Sequence, residues 1–286
     1  MSKLESAFSK ALREHAQKES GGVDQHAAAD DLAASDSQPV SEETSKAVSK
    51  ARMKDIVSAK SQIKNMSHRL LLSEEEMAAK RLIYPRMKDK ELLNIYRNLR
   101  TKLLASSASS NFTTLVTSVV SGGGSSLVSA NLAATFAFDE GKTSLLIEGN
   151  VHTPSLAGLF ELDNEKPGLM DCLESEELHV ADILYETGVP RLRFMPSGRS
   201  QENSAEYFTS EKMKSVIGEV VERYPERYPI IDAPSINESA DARILLELCD
   251  RVILVIPYGL CTTDQIKAAA QIIGKQKLAG VVLNQF

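Results

Sequence analysis

Three glycines followed by two serines, Gly122, Gly123, Gly124, Ser125 and Ser126, form the stretch of this sequence best suited to chemistry. The first N–H groups of a helix have no internal partners, so a glycine-rich turn that opens a helix is a cradle for phosphate. The surrounding residues 111–139, NFTTLVTSVVSGGGSSLVSANLAATFAFD, supply a β-branched run before the turn and a helical pattern after it. A nucleotide-hydrolysing loop of form GxxxxGKS/T carries lysine where this chain has Ser125. The loop shape is kept, and the charge that grips the β- and γ-phosphates is missing. A hydroxyl at Ser126 remains where a phosphate loop contacts magnesium.

Three other segments end in polar residues after apolar runs. Glu148, Gly149 and Asn150 follow Leu145, Leu146 and Ile147; Asp232 follows Ile230 and Ile231; Asn284 follows Val281, Val282 and Leu283. Glu148 offers a carboxylate to a metal or a water, Asp232 is the usual magnesium acid, and Asn284 suits an adenine edge. Each has a plainer reading when taken alone: a turn for the glycines, a strand-end cap for Asp232, a turn residue for Asn284. Their order along one chain points to a nucleotide site, because ligands of a parallel sheet bind beyond the carboxyl ends of its strands.

The elements that must position these residues are short β-branched runs alternating with helical patterns, which predicts an α/β fold: a mainly parallel sheet with helices on both faces. Strands are expected at 112–120, 143–148, 192–195, 228–232, 251–257 and 280–283. Helices are expected at 125–138, 210–223, 240–248 and 263–276, with shorter ones at 168–173 and 180–184. Before the sheet, helical patterns cover 70–104 and are interrupted by Pro85; the second carries Leu92, Leu93, Ile95, Tyr96, Leu99, Leu103 and Leu104. That apolar face must lie on the sheet or on another subunit.

The N-terminal part reads differently. Leu4, Ala7, Phe8, Ala11 and Leu12 make a short amphipathic stripe, and 21–43 has the Ala, Ser, Asp and Gly content of a linker. Residues 44–69 are basic, with Lys46, Lys50, Arg52, Lys54, Lys60, Lys64 and Arg69. The organisation expected is therefore 1–43 helix and linker, 44–104 helical extension, and 105–286 nucleotide-binding-type domain. The chain has 286 residues, 42% of them hydrophobic, enough for one substantial core. A formal charge of -6 argues against nonspecific nucleic-acid binding. Three cysteines without metal spacing read as thiols of a reducing compartment, and no signal core or 18-residue apolar run is seen, so a cytoplasmic location is expected.

From about Glu91 to Asn284 the chain resembles the cytoplasmic kinase domain of bacterial tyrosine autokinases that control exopolysaccharide and capsule synthesis. These sit among the deviant phosphate-loop ATPases, which include chromosome-partitioning and cell-division ATPases. The segments that carry the resemblance are NIYRNLRTKL at 94–103, SVVSGGGSSLVSANLA at 118–133, LLIEGNVHTP at 145–154, GLMDCL at 168–173, MPSGRSQENSAEYFTSEKM at 195–213, YPIIDAPSINESADARIL at 228–245 and VVLN at 281–284. The resemblance implies a three-layer phosphate-loop sandwich that binds ATP and magnesium through Gly122, Gly123, Gly124, Ser125, Ser126 and Asn284. Glu148 and Asp232 would be catalytic, with Ser126 beside them at the metal. It further implies subunit contacts through Arg97 and Arg100 in a ring of identical copies.

The departures from the family pattern concern charge. Ser125 stands for the phosphate-bridging lysine, Glu148 and Asn150 for two aspartates, His152 and Thr153 for basic residues, and Asn94 for a glutamate before the two arginines; the tyrosine-rich tail has no counterpart up to Phe286. Phosphoryl transfer depends on positioning and on neutralising equatorial oxygens, so these changes fall on one step. The leading expectation is a catalytically degenerate regulator or scaffold of exopolysaccharide biosynthesis and export. It would bind a polysaccharide co-polymerase or another assembly protein, in places at the inner membrane. The alternatives are a residual ATP-binding tyrosine kinase or ATPase, and a partitioning-type ATPase relative.

Overall fold

The computed structural model describes residues 71–106, 111–163, 165–199 and 202–285. The stripe at 4–12, the linker at 21–43 and the basic stretch at 44–69 lie outside the described residues. Runs such as Leu145–Ile147, Ile230–Ile231 and Val252–Val255 are wholly buried, as strands covered on both faces must be.

Two helices precede the sheet: α1, Glu74–Ala79, and α2, Lys90–Ala105. Ser73 and Glu76 close α1 with a reciprocal capping box, and the Asp89 side chain accepts from Leu92 N–H at the start of α2. The strands are β1 Thr114–Ser118, β2 Thr143–Glu148, β3 Tyr185–Glu186, β4 Leu192–Met195, β5 Arg227–Asp232, β6 Arg251–Pro257 and β7 Leu278–Asn284. Between them run α3 Ser125–Ala137, α4 Leu156–Leu159, α5 Leu169–Glu174, α6 Ser204–Thr209, α7 Glu211–Glu222, α8 Ala240–Glu247 and α9 Thr263–Ile273, with a 3-10 turn at Val180–Ile183.

The sheet order is β3-β4-β2-β5-β1-β6-β7, parallel throughout except for the β3–β4 pair. After β1 the chain first builds outward through β2, and later on the other side through β6. β1 is therefore the switch point, where a crevice opens for a ligand. Helices cover both faces, as the alternating pattern predicts, giving the three-layer phosphate-loop-type sandwich that the resemblance implies.

Most expected elements form within a few residues of their forecast limits. Three elements were not foreseen: the two-residue edge strand β3, the single-turn α4, and α6, which Ser210 separates from α7 by capping the latter through Met213 N–H. The apolar face of α2 lies on its own domain. Leu93, Tyr96, Leu99 and Leu103 are buried and join one core with α3 and the sheet, while Leu92 and Ile95 stay exposed.

α3 is the central helix of that core. Phe136 stacks on Tyr228 with ring centroids 4.7 Å apart, and Phe112 meets Tyr228 edge-on at 5.1 Å. Asn131 does a different job: its Oδ1 accepts from Ile83 N–H at 2.7 Å and its Nδ2 donates to the Arg81 carbonyl at 3.1 Å. The bend between α1 and α2 is fastened to α3 by these two bonds. Asn131→Ala leaves the buried Ile83 N–H unpaired and should lower unfolding free energy by about 2 kcal/mol; urea titration of the variant checks this.

Candidate functional site

β1 ends at Ser118, and its continuation is stitched to the loop after β5 before the glycines begin. Thr117 Oγ1 donates to the Pro234 carbonyl at 2.5 Å, Ile236 N–H to the Ser118 carbonyl at 3.0 Å, and Asn237 Nδ2 to the Val119 carbonyl at 3.0 Å. Gly122, Gly123 and Gly124 then turn the chain into α3. Gly124 caps that helix at φ 83°, a left-handed conformation that a side chain would strain. The turn therefore has the shape the sequence predicts.

Asp232, at the last position of β5, is 1% exposed and lies directly beneath the start of α3. Ser126 Oγ donates to its Oδ2 at 2.7 Å, and Ser129 Oγ donates to its Oδ1 at 2.9 Å. Ser126 and Asp232 are thus brought together as expected. Ser129 is a further member of the site that the sequence reading passed over. The signal was present, because residues three apart on a helix share a face.

Ser125 sits at the helix start, 9% exposed, with its hydroxyl 3.5 Å from the Ala233 carbonyl. It places no positive charge in the cradle. Asn284, at the end of β7, donates its amide to the Gly123 carbonyl at 3.1 Å, so its N–H serves the loop itself. Glu238, also unforeseen, accepts from Ser121 N–H at 3.0 Å at the mouth of the loop.

Glu148 pairs in register with Asp232 across β2 and β5 and is equally buried. Its carboxylate faces backbone donors: Oε1 accepts from Ser155 N–H at 2.7 Å and Leu156 N–H at 2.6 Å, and Oε2 from Ser197 N–H at 3.3 Å. The side chain ties the turn before α4 to the loop after β4. Gly149 follows immediately because a Cβ there would meet the Asp232 carbonyl at 2.8 Å. Asn150 Oδ1 accepts from Thr153 at 3.1 Å, and His152 Nε2 lies 3.1 Å from both Ser204 Oγ and Asp241 Oδ2. Away from this cluster, Arg97 is exposed on α2, whereas Arg100 Nη1 donates to the Thr135 carbonyl at 2.9 Å against α3.

The donor set suits magnesium, with one hydroxyl and one carboxylate side by side at the foot of a phosphate-shaped turn. Ser126 and Asp232 would hold the ion, and the N–H groups of the loop would hold the phosphates. Among the described residues no cluster of three or more His, Cys, Asp or Glu forms a metal site of the protein's own.

Burial drives the Asp232 carboxyl up to about 7; the Ser126 and Ser129 hydroxyls oppose the rise, and Glu148 adds to it. Between its ordinary value of 3.8 and about 7, the folded chain holds a proton that the unfolded chain has released. Stability contributed by this group is therefore fully present below the lower value and is lost as pH climbs through the upper one. The melting temperature should fall by several degrees across that window in low-magnesium buffer, and Asp232→Asn should flatten the profile; thermal scans at stepped pH check both.

Comparison with known proteins follows the same lines. No family model matches the chain. It is 31% identical over 192 residues to the tyrosine-protein kinase YwqD of Bacillus subtilis, covering 66% of this chain and 79% of that one. It is 34% identical over 173 residues to the tyrosine-protein kinase CpsD of Streptococcus pneumoniae serotype 4, covering 59% of this chain and 74% of that one. The crystal structure of the chimerical protein CapA2B2 superposes with a TM-score of 0.64 at 25% identity, over 75% of this chain and 91% of that one. With the glycine turn, the Ser126–Asp232 pair and the sheet order on which they stand, these similarities place the chain in the exopolysaccharide and capsule tyrosine-autokinase family, to which it belongs.

Proposed function

We propose that this chain binds magnesium-complexed ATP at its glycine turn and acts as a slow tyrosine kinase or ATPase of polysaccharide synthesis. The observation that carries this reading is the Ser126–Asp232–Ser129 cluster, a hydroxyl and carboxylate arrangement preserved beneath an intact phosphate cradle. A purely structural turn needs no buried carboxylate there, since burial without a cation is unfavourable. Magnesium at this place supplies charge neutralisation on the β- and γ-phosphate oxygens. The chain's own part is to present loop N–H groups, orient the phosphates, and keep water from the foot of the cradle.

Speed is limited by what is absent from the cradle. Losing one donor to a developing oxyanion costs about 3 kcal/mol, or about a hundredfold in rate. Ser125 cannot supply the donation that the family's lysine makes. Glu148, occupied by three backbone N–H groups, favours a second reading, in which nucleotide is held without turnover and the chain serves as a regulator or scaffold. In either reading the partner is a polysaccharide co-polymerase or another exopolysaccharide assembly protein at the inner membrane. Copies of the chain associate through the solvent face of α2, where Leu92, Ile95 and Arg97 are exposed. A partitioning-type role has only the shared fold in its favour.

Calorimetric titration of ATP and ADP with magnesium into the full-length protein should show saturable binding that Asp232→Ala abolishes. Absence of heat at millimolar nucleotide would leave the scaffold reading without its nucleotide. Restoring the cation with Ser125→Lys should raise phosphate release by about a hundredfold if transfer chemistry is otherwise intact; an unchanged rate would select the regulator.

A further inference from the structure

The glycine turn is met at its mouth by a carboxylate of the chain's own. Glu238 lies in the loop that follows Asp232 and β5, and its Oε2 accepts from Ser121 N–H at 3.0 Å. Ser121 immediately precedes Gly122, so this contact takes up a backbone donor at the entrance to a turn whose N–H groups suit anions. An internal anion is thus seated where an external one would enter.

The backbone that carries Glu238 is fastened on both sides. Before it, Asn237 Nδ2 donates to the Val119 and Gln265 carbonyls, each at 3.0 Å, and Arg243 Nη2 donates to the Asn237 carbonyl at 2.8 Å. After it, Ser239 N–H donates to the Ser235 carbonyl at 2.9 Å. The loop therefore delivers the carboxylate to the turn, while Glu238 and Ser121 themselves stay exposed and open to an entering ligand. Among the described residues no lysine or arginine forms an ion pair with Glu238. Arg243, bonded to the same loop, spends Nε and Nη2 on the Ile236 and Asn237 carbonyls, and Ser125 puts a hydroxyl where a phosphate-binding lysine would stand.

We propose that Glu238 is a specificity-determining residue of the glycine turn, an anionic gate that disfavours a nucleoside triphosphate relative to the diphosphate. The inference rests on the reading of the turn as a nucleotide cradle and adds to it which nucleotide is retained. Ser126 and Asp232 mark the side of the cradle on which a metal would join the β- and γ-phosphates. The chain runs from Asp232 on to Glu238, so the carboxylate belongs to that side, and a terminal phosphate there meets a like charge with no lysine to offset it. A diphosphate held by the N–H groups of the helix start ends short of it. Entry of the triphosphate also breaks the bond to Ser121, because the carboxylate must swing away from an oxygen that competes for the same N–H.

The test is a charge series at one position, read by calorimetric titration into the full-length protein. The ligands are magnesium ADP and the magnesium complex of the β,γ-methylene analogue of ATP, which is not hydrolysed. Glu238→Gln keeps an oxygen that can accept from Ser121 N–H and removes the charge. It should tighten binding of the analogue about fivefold, the size of one unit-charge contact across water, and leave ADP unchanged. Glu238→Lys should tighten the analogue by a further step of similar size. Both gains should shrink in high salt, since the residue is exposed. An affinity for the analogue that stays flat across the series while ADP binds, or equal changes for the two nucleotides, would overturn the proposal and leave Glu238 as a fastener of the loop. Heat from neither nucleotide in any of the three proteins would remove the cradle reading and the gate with it. Retained ADP binding reports that each variant is folded.

Discussion

A carboxyl group removed from water has to be hydrogen-bonded, neutralised by a cation, or protonated, and Asp232 is placed where all three remain open to it. Two hydroxyls of α3 hold its two oxygens, which fixes the distance between the helix start and the end of β5. The glycine turn spans that gap. Its backbone is free to point N–H groups outward because the polar contacts beneath it are already satisfied by side chains. Most of the site's geometry can be traced to this one buried acid and to the serines that make its burial tolerable.

The sheet, the helices between its strands and the glycine turn were legible in the sequence because they rest on local signals. Continuous apolar runs such as Leu145–Ile147 and Ile230–Ile231 announce doubly covered strands, and three adjacent glycines announce a turn. The direction in which polar side chains face was not legible. Glu148 reads as a metal acid from its place after a strand, yet its oxygens meet the N–H groups of Ser155, Leu156 and Ser197, donors from two other loops. Asn284 reads as an adenine contact, while its amide N–H is given to Gly123. Such choices depend on partners far away in sequence, and spacing alone does not contain them. β3 and α4 escaped notice for another reason: elements of two and four residues carry too few positions to show a period.

The same network holds the architecture together without calling on charged side chains in the glycine turn. Loop closure at the carboxyl end of the sheet depends on backbone groups and short hydroxyls: Thr117 to Pro234, Ser235 to Val119, Asn237 to Val119. None of these bonds requires a lysine at 125 or an aspartate at 150. Closure of the scaffold therefore does not rest on charge within the glycine turn. A family resemblance spread over seven segments can therefore coexist with altered letters at the centre of the site.

The bond from Asn284 to Gly123 joins residues 161 positions apart, and the Ser126–Asp232 bond joins residues 106 apart. Contacts at such separation form only after the entropy of closing the intervening chain has been met. On a ribosome, α3 and β1 emerge long before the strands that will hold the turn between them. The glycine turn is thus left unlatched until β7 has been made, and docking of β7 fastens it. Closure of the turn is in this sense a check on the sheet: a chain in which β7 has failed to dock lacks the Asn284 latch on its glycine turn, whatever its first strands have achieved.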